Sequence, residues 1–369
     1  MTTHPGQPAS SVADADDIAE TRVLVGELAD ALLARHCTDE VREAAEAGAW
    51  PARLWDELDA AGLTLLDSGE HAADVDAQSA VTVLQAAGRA ALPVPLAEAM
   101  FLGPGLFRSA GADVPPGLLG VAVPTADDKI EISGGAVSGR LARVPWGRQV
   151  THIAGLTVDR GTPYLYVVER SAARVEQATN LAGDARDSVS FDGIELRGLG
   201  LSPDAGAGAA TELRLRGQLS RAALMAGAMQ AVLEMTTKYV RIRQQFGKPI
   251  ISFQAIAHRL VRMAEEVELA TLATSAAAAR FQEAGLGAAL EVGSAKGVCV
   301  AAAEEVVAAA HQLHGAIGMT REYPLHHFTR RLRAWSFEWG TGAQCGQEIG
   351  VLAVNSGAER LWPLLTGGF

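Results

Sequence analysis

A long helical pattern that is broken twice in the same manner constrains this chain more than any other feature. From Tyr239 to Gln254 it reads YVRIRQQFGKPIISFQ, and from Ala310 to Leu325 it reads AHQLHGAIGMTREYPL. In each stretch glycine and polar donors interrupt an apolar periodicity that then resumes, so the fold must hold long helices with polar breaks. Arg243, Gln245 and Gln254 cluster with Phe246 and Gly247 in the first break, while Gln312 and Gly315 open the second. A guanidinium fork, amides and bare backbone beside an aromatic ring suit a large, flat, anionic cofactor. Glycines in such places also cap helices, which is the plainer reading of either break alone.

A length of 369 residues predicts two or three domains, and 49% hydrophobic with 20% charged residues provides for a large core. The net charge of −12 argues against a nucleic-acid surface but leaves room for a local basic pocket. Cys37, Cys299 and Cys345 lack CxxC spacing and read as buried thiols in a reducing compartment. The first residues, MTTHPGQPASSVADADD, lack the order of a signal peptide, and the alanine-rich runs are flanked by charge. A cytoplasmic protein without a membrane span is expected.

In chain order, residues 1–15 are small and polar and predict a disordered lead-in. From Asp16, Val23, Leu24, Leu28, Leu32 and Leu33 fall at helical spacing, and helical patterns continue to the pair Pro93 and Pro95. Residues 16–115 therefore predict a helical domain. Beyond Pro115 short β-branched runs appear at Val121–Val123, Ile130–Ile132, Tyr164–Val168 and Val189–Leu196, separated by Gly and Asp clusters. They predict a small antiparallel barrel or sandwich over 116–204, closing in a flexible run at Pro203–Gly208. Residues 205–369 predict an antiparallel bundle of four long helices, with Leu219, Leu224 and Leu233 on one and Ile256, Leu260, Met263 and Val267 on the next. The fold class is α+β, mostly α.

This order, together with R-x-x-F-G-K-P-I…F-Q from Arg243 and Q-x-H-G-x-x-G-x-T-R-E-Y-P from Gln312, resembles the acyl-CoA dehydrogenase family. The likeness covers essentially the whole chain and is strongest from Ala209 to Thr341. It implies FAD lying across a subunit interface. It further implies that Arg243 pairs with the pyrophosphate, Phe246 packs on the cofactor, and Gln245 and Gln254 donate hydrogen bonds. Gln312 and Gly315 would approach its adenosine side, with Thr341 a further donor near the phosphates. A surface ion pair closing a helix is the alternative for Arg243. Ala316 stands where the family has a second glycine, and Ala343 where it has a polar residue. On the ring side the family's acidic loop is reduced to Val123–Asp128. Its tryptophan segment reads Arg143-Val144-Pro145-Trp146-Gly147, where Trp146 either shifts register to meet a flavin ring or is a half-buried β-domain residue.

The family reaction removes an α-proton from a CoA thioester, which needs a positioned carboxylate. The resemblance places that glutamate before Gly340-Thr341, where this chain has Trp339, or on the first bundle helix, where ungapped counting gives Gly217. Glu338 is one residue away, and reads as a solvated or structural residue before it reads as a base. His311, His314, His326 and His327 have no carboxylate or cysteine at ligand spacing, so no metal is expected. His326-His327 read as a solvated helix face, and Arg330, Arg331 and Arg333 as an exposed basic one. The chain resembles the subunit of α2β2 acyl-CoA dehydrogenases, including those acting on steroid side chains, that completes the FAD site of a homologous partner owning the glutamate. An acyl-CoA substrate and an electron-transferring flavoprotein are implied. The alternatives are a self-sufficient homo-oligomeric enzyme using Glu338, and a non-enzymatic assembly scaffold.

Overall fold

The N-terminal helices follow from apolar spacing and polar caps. The computed structural model describes residues 10–64, 76–122, 127–195 and 199–366. Among these residues five α-helices come first: α1 (Ser10–His36), α2 (Asp39–Glu46), α3 (Ala52–Ala60), α4 (Ala77–Arg89) and α5 (Gly103–Ala110). Thr38 and Asp76 cap α2 and α4 by accepting from the Val41 and Ser79 N–H groups. A π-helical turn at Glu98–Leu102 leads into α5 and carries a buried carboxylate, Glu98. Of the lead-in expected over 1–15, residues 1–9 lie outside the described residues, and residues from Ser10 onward are already helical. Their serines, aspartates and alanines suit a helix start as well as they suit a loop.

Among the described residues eight strands follow: β1 (Leu119–Val121), β2 (Lys129–Ser133), β3 (Ala136–Pro145), β4 (His152–Asp159), β5 (Thr162–Glu169), β6 (Arg174–Glu176), β7 (Arg186–Glu195) and β8 (Leu199–Gly200). They form two sheets ordered β1-β4-β5-β8 and β2-β3-β7-β6. Between them Val137, Leu141, Val189 and Phe191 from one sheet meet Ile153, Tyr166 and Val168 from the other, the inner layer of a sandwich. The expected all-antiparallel pattern fails at one pair. β1 runs parallel to β4, with Leu119 opposite His152, because β2 and β3 cross to the other sheet before the chain returns. The expected loop at Val123–Asp128 falls partly on residues 123–126, which lie outside the described residues.

The C-terminal half opens with α6 (Pro203–Ile242), followed by a hairpin of β9 (Gln244–Gln245) and β10 (Lys248–Pro249). Then come α7 (Gln254–Ala284), α8 (Ala289–His314), α9 (Leu325–Trp335), α10 (Gly342–Ser356) and α11 (Ala358–Thr366). The run Pro203–Gly208, expected to be flexible, is instead the first turns of α6. Ser202 caps it by accepting from the Ala205 N–H, and Pro203 occupies the first turn, where its missing N–H is harmless. The expected bundle forms from α6, α7 and α8, with the shorter α10 packed on α8 as its fourth member and α9 and α11 flanking it. One stretch among the described residues, within Gln254–Met319, is long and apolar enough by length and composition to cross a membrane. Its apolarity follows from its alanine content. Its residues Met263, Val267, Ala270, Cys299, Ala302 and Val306 belong to the core that the bundle shares with α3, α4 and α5.

That shared core depends on close backbone approach between α4 and α6. A Cβ on Gly88 would stand 2.1 Å from the Leu224 carbonyl oxygen, and one on Gly227 would stand 1.9 Å from that of Gln85. Both obstacles are backbone, so neither can be relieved by a rotamer change. Gly88→Ala and Gly227→Ala are each expected to destabilise the fold by at least about 1–3 kcal/mol, read as a lower denaturation midpoint in urea. A midpoint equal to that of the parent protein would contradict this packing.

Candidate functional site

The first helix break is a hairpin that projects from the end of α6. The Arg243 N–H donates to the Tyr239 carbonyl at 2.9 Å, and the Ile250 N–H returns to the Arg243 carbonyl at 2.9 Å. The two-residue turn between β9 and β10 holds Phe246 at φ +54° and Gly247 at φ +80°, as a tight hairpin requires. A left-handed backbone at a bulky residue costs roughly 1–2 kcal/mol, yet Phe246 is 89% exposed. Its ring pairs with that of Phe253 in a T-shaped arrangement, centroids 5.9 Å apart. Gln254 opens α7, with its amide 3.4 Å from His258. In the second break, Gly315 closes α8 at φ +63°, ψ −140°, a conformation reserved for glycine.

The two breaks are adjacent in space. Tyr239 stacks on His314 with ring centroids 4.6 Å apart, and both pack against Tyr323. Arg243, Gln245, Gln254, Phe246, Gln312 and Gly315 are all exposed. Among the described residues, no hydrogen bond or ion pair engages the side chains of Arg243, Gln245 or Gln312. A free guanidinium, unspent amides and an aromatic held out by its turn fit the pyrophosphate and adenosine side of a dinucleotide such as FAD. Thr341 has a structural duty. It caps α10 in a capping box, accepting from the Gln344 N–H at 3.2 Å while its own N–H donates to the Gln344 side chain at 2.8 Å. Only its hydroxyl hydrogen remains to be donated.

The ring side is built differently. Trp339, at φ +59°, is buried and lies across Gly217: a Cβ on Gly217 would fall 2.1 Å from Trp339 Cδ2 and 2.5 Å from Cε3. The two positions that sequence counting offers for a base therefore converge on one place, and an indole fills it. Glu338 points elsewhere. Its Oε1 is 2.8 Å from an Arg186 nitrogen and its Oε2 is 2.7 Å from Arg221 Nε, while Arg221 also reaches Glu98 at 2.5 Å. Burial opposes the charge, but the two guanidinium groups outweigh it and hold the Glu338 carboxyl down at about 2. So weak a base, with both oxygens engaged, is unsuited to taking an α-proton. Lys296 is buried nearby, donating to the Trp335 carbonyl at 2.6 Å, and desolvation lowers it to about 8. Trp146 is interior and not half-buried, with the Arg186 guanidinium 4.8 Å over its ring.

Two surface expectations are corrected. His327 is buried, with Nδ1 2.7 Å from Glu46 Oε1, and Arg331 is wholly buried between Glu46 at 3.1 Å and Asp184 at 2.8 Å. Arg330 also pairs with Glu46, so of the three arginines only Arg333, 3.5 Å from Glu304, lies on an exposed face. A carboxylate does stand beside His326 and His327, brought from α2 by the fold. Two guanidinium cations already share it, and a metal ion there would meet their repulsion. The network residues Glu46, Glu98, Asp184, Arg186, Arg221 and Lys296 were missed in the sequence. The available signal was a lone charge inside an apolar run, as with Arg221 between Leu219 and Leu224.

Glu338→Gln removes the charge between two buried arginines and is expected to cost about 3–5 kcal/mol, seen as a lower melting temperature. Because the folded carboxyl titrates far below its unfolded range, the stability it contributes is complete above about pH 5. That contribution fades as the pH falls toward about 2. The Glu338→Gln variant should therefore show a flatter loss of stability in acid than the parent.

Comparison with known proteins gives a consistent picture. The model of the acyl-CoA dehydrogenase C-terminal domain matches residues 204–346. Acyl-CoA dehydrogenase IpdE2 of Mycobacterium tuberculosis is 28% identical over 318 residues, covering 85% of this chain and 91% of that protein. Two other curated acyl-CoA dehydrogenases are matched over only 30% and 34% of their own length. Among solved structures, the ChsE4–ChsE5 complex of Mycobacterium tuberculosis superposes with a TM-score of 0.81 at 21% identity, covering 92% of this chain and 98% of that one. The Tcur3481–Tcur3483 steroid ACAD does so with a TM-score of 0.76 at 23% identity, covering 92% and 99%. Both structural likenesses are likenesses of fold.

Proposed function

Since this chain belongs to the acyl-CoA dehydrogenase family, whose members are FAD-dependent oxidoreductases, we propose that it is a subunit lacking the catalytic base. In this reading it works in a two-subunit enzyme that oxidises an acyl-CoA at its α,β-bond. Held there, FAD would supply the hydride acceptor for the β-carbon. This chain supplies the grip: Arg243 for the pyrophosphate, Gln245, Gln254 and Gln312 as amide donors, Phe246 as a packing face and Gly315 as bare backbone. Thr341 adds a hydroxyl donor near the phosphates. The α-proton goes to a glutamate of a homologous partner subunit. The observation that carries this is the indole of Trp339 lying against Gly217, with the neighbouring Glu338 tied to Arg186 and Arg221. Exclusion of a carboxylate from both base positions and retention of the phosphate grip belong together only if another chain completes the chemistry.

Support for two chains and a bulky acyl group comes from the similar structures, one a complex of two named proteins and the other described as a steroid enzyme. A steroid side chain is therefore the proposed acyl group, an electron-transferring flavoprotein the proposed acceptor, and the cytoplasm the proposed location. Expressed alone, the chain is expected to retain little flavin and to oxidise no acyl-CoA. Expressed with its partner it is expected to be yellow and active. Full flavin content with turnover in the lone chain would refute the assignment. In the assembled complex, Glu338→Gln should leave turnover per folded molecule unchanged, whereas near-complete loss would make this chain its own base. A colourless assembly in every purified form would favour a scaffold.

A further inference from the structure

We infer that His314 is a positioning residue that clamps the two helix breaks into a single cofactor-gripping surface, an inference that rests on the reading of Arg243 and Gln312 as dinucleotide contacts. His314 is buried at the last turn of α8, two residues after Gln312 and directly before Gly315. Its Nδ1 lies 2.8 Å from the Ala310 carbonyl oxygen. A carbonyl can only accept, so Nδ1 carries the proton. In the neutral ring Nε2 is then an acceptor, and it faces the Tyr323 hydroxyl at 3.1 Å. Desolvation lowers the His314 pKa and so favours this neutral form.

The ring also reaches across to the first break. Tyr239 stacks on it with an interplanar angle of 26°, and the Tyr239 carbonyl accepts from the Arg243 N–H at 2.9 Å. Tyr323 closes the triangle, meeting Tyr239 edge-on at 6.1 Å. The turn after Gly315 packs on the same residue, since a Cβ on Gly318 would stand 2.8 Å from His314 Cβ. One side chain thus fixes the end of α8, the turn that follows it and the helix end from which the Arg243 hairpin springs. A purely apolar ring at this place could stack on Tyr239 but could not hold Tyr323.

Three variants test this: His314→Phe, which keeps the stacking area; Tyr323→Phe, which removes a single hydroxyl; and Arg243→Ala, which removes the proposed phosphate contact. Each is prepared as the full chain in the assembly in which it is isolated. Amide exchange is followed over residues 244–249 and 315–320, FAD binding by titration of flavin fluorescence, and folding by the melting temperature. His314→Phe and Tyr323→Phe should each melt within a few degrees of the parent and accelerate exchange in both segments together. Each should also weaken FAD binding about tenfold, the scale of one lost hydrogen bond, and the pair combined should add little to either alone. Unchanged exchange in either segment overturns the inference. So does unchanged FAD binding where Arg243→Ala weakens it. If Arg243→Ala leaves FAD binding intact, the cofactor reading of Arg243 fails instead, and the exchange data alone decide whether His314 is a clamp.

Discussion

The carboxylate of Glu338 sits between two guanidinium groups, one from the β sandwich and one from the bundle, and much of the molecule is arranged around that contact. Arg186 arrives on β7, Arg221 on α6, and Arg221 passes the charge on to Glu98 in the turn before α5. All three structural regions thereby meet in one buried ionic chain. A second seam repeats the pattern, with Arg331 on α9 bonded both to Glu46 at the end of α2 and to Asp184 beside β7. Buried ion pairs recover their desolvation cost only when geometry and partners are nearly complete. They tolerate little displacement, and so they fix register more than they add stability. Here they set the angle at which the sandwich meets the helices.

That fixed geometry carries over to the neighbouring residues. With Glu338 drawn toward Arg186 and Arg221, the chain turns through Trp339 and Gly340 at positive φ and lays the indole on Gly217. The place where the resemblance puts a carboxylate is thus occupied by a residue whose backbone is itself constrained. At the C-terminal end of α6 the reverse holds. Phe246 is kept in an uncomfortable backbone conformation and exposed, and Arg243 is left without a charge partner among the described residues. An exposed aromatic on a strained turn beside a free guanidinium is the arrangement on which the proposed cofactor grip rests.

Much of this was legible in the sequence, but unevenly. The helical periodicities, the β-rich middle and both helix breaks could be read because each depends on residues close together in the chain. Glycines 247 and 315 marked positions where only glycine is comfortable, and the positive φ at both shows why. The ionic seams were not legible. Glu46 finds His327 across 281 residues, and Glu338 finds Arg186 across 152. No local pattern separates a buried arginine such as Arg331 from its exposed neighbour Arg333. The convergence of Gly217 and Trp339 was hidden for the same reason: counting along the chain gave two possible sites for a base, and only the fold makes them one.

The most direct measurement is a structure of the assembled, flavin-loaded enzyme with an acyl-CoA bound. The isoalloxazine ring is expected against a partner's sandwich, with a partner's carboxylate beside the thioester α-carbon. Arg243 and Gln312 of this chain would then lie along the pyrophosphate and adenosine. A ring resting on this chain's own strands, with Glu338 released from Arg186 and Arg221 and facing the α-carbon, would contradict it.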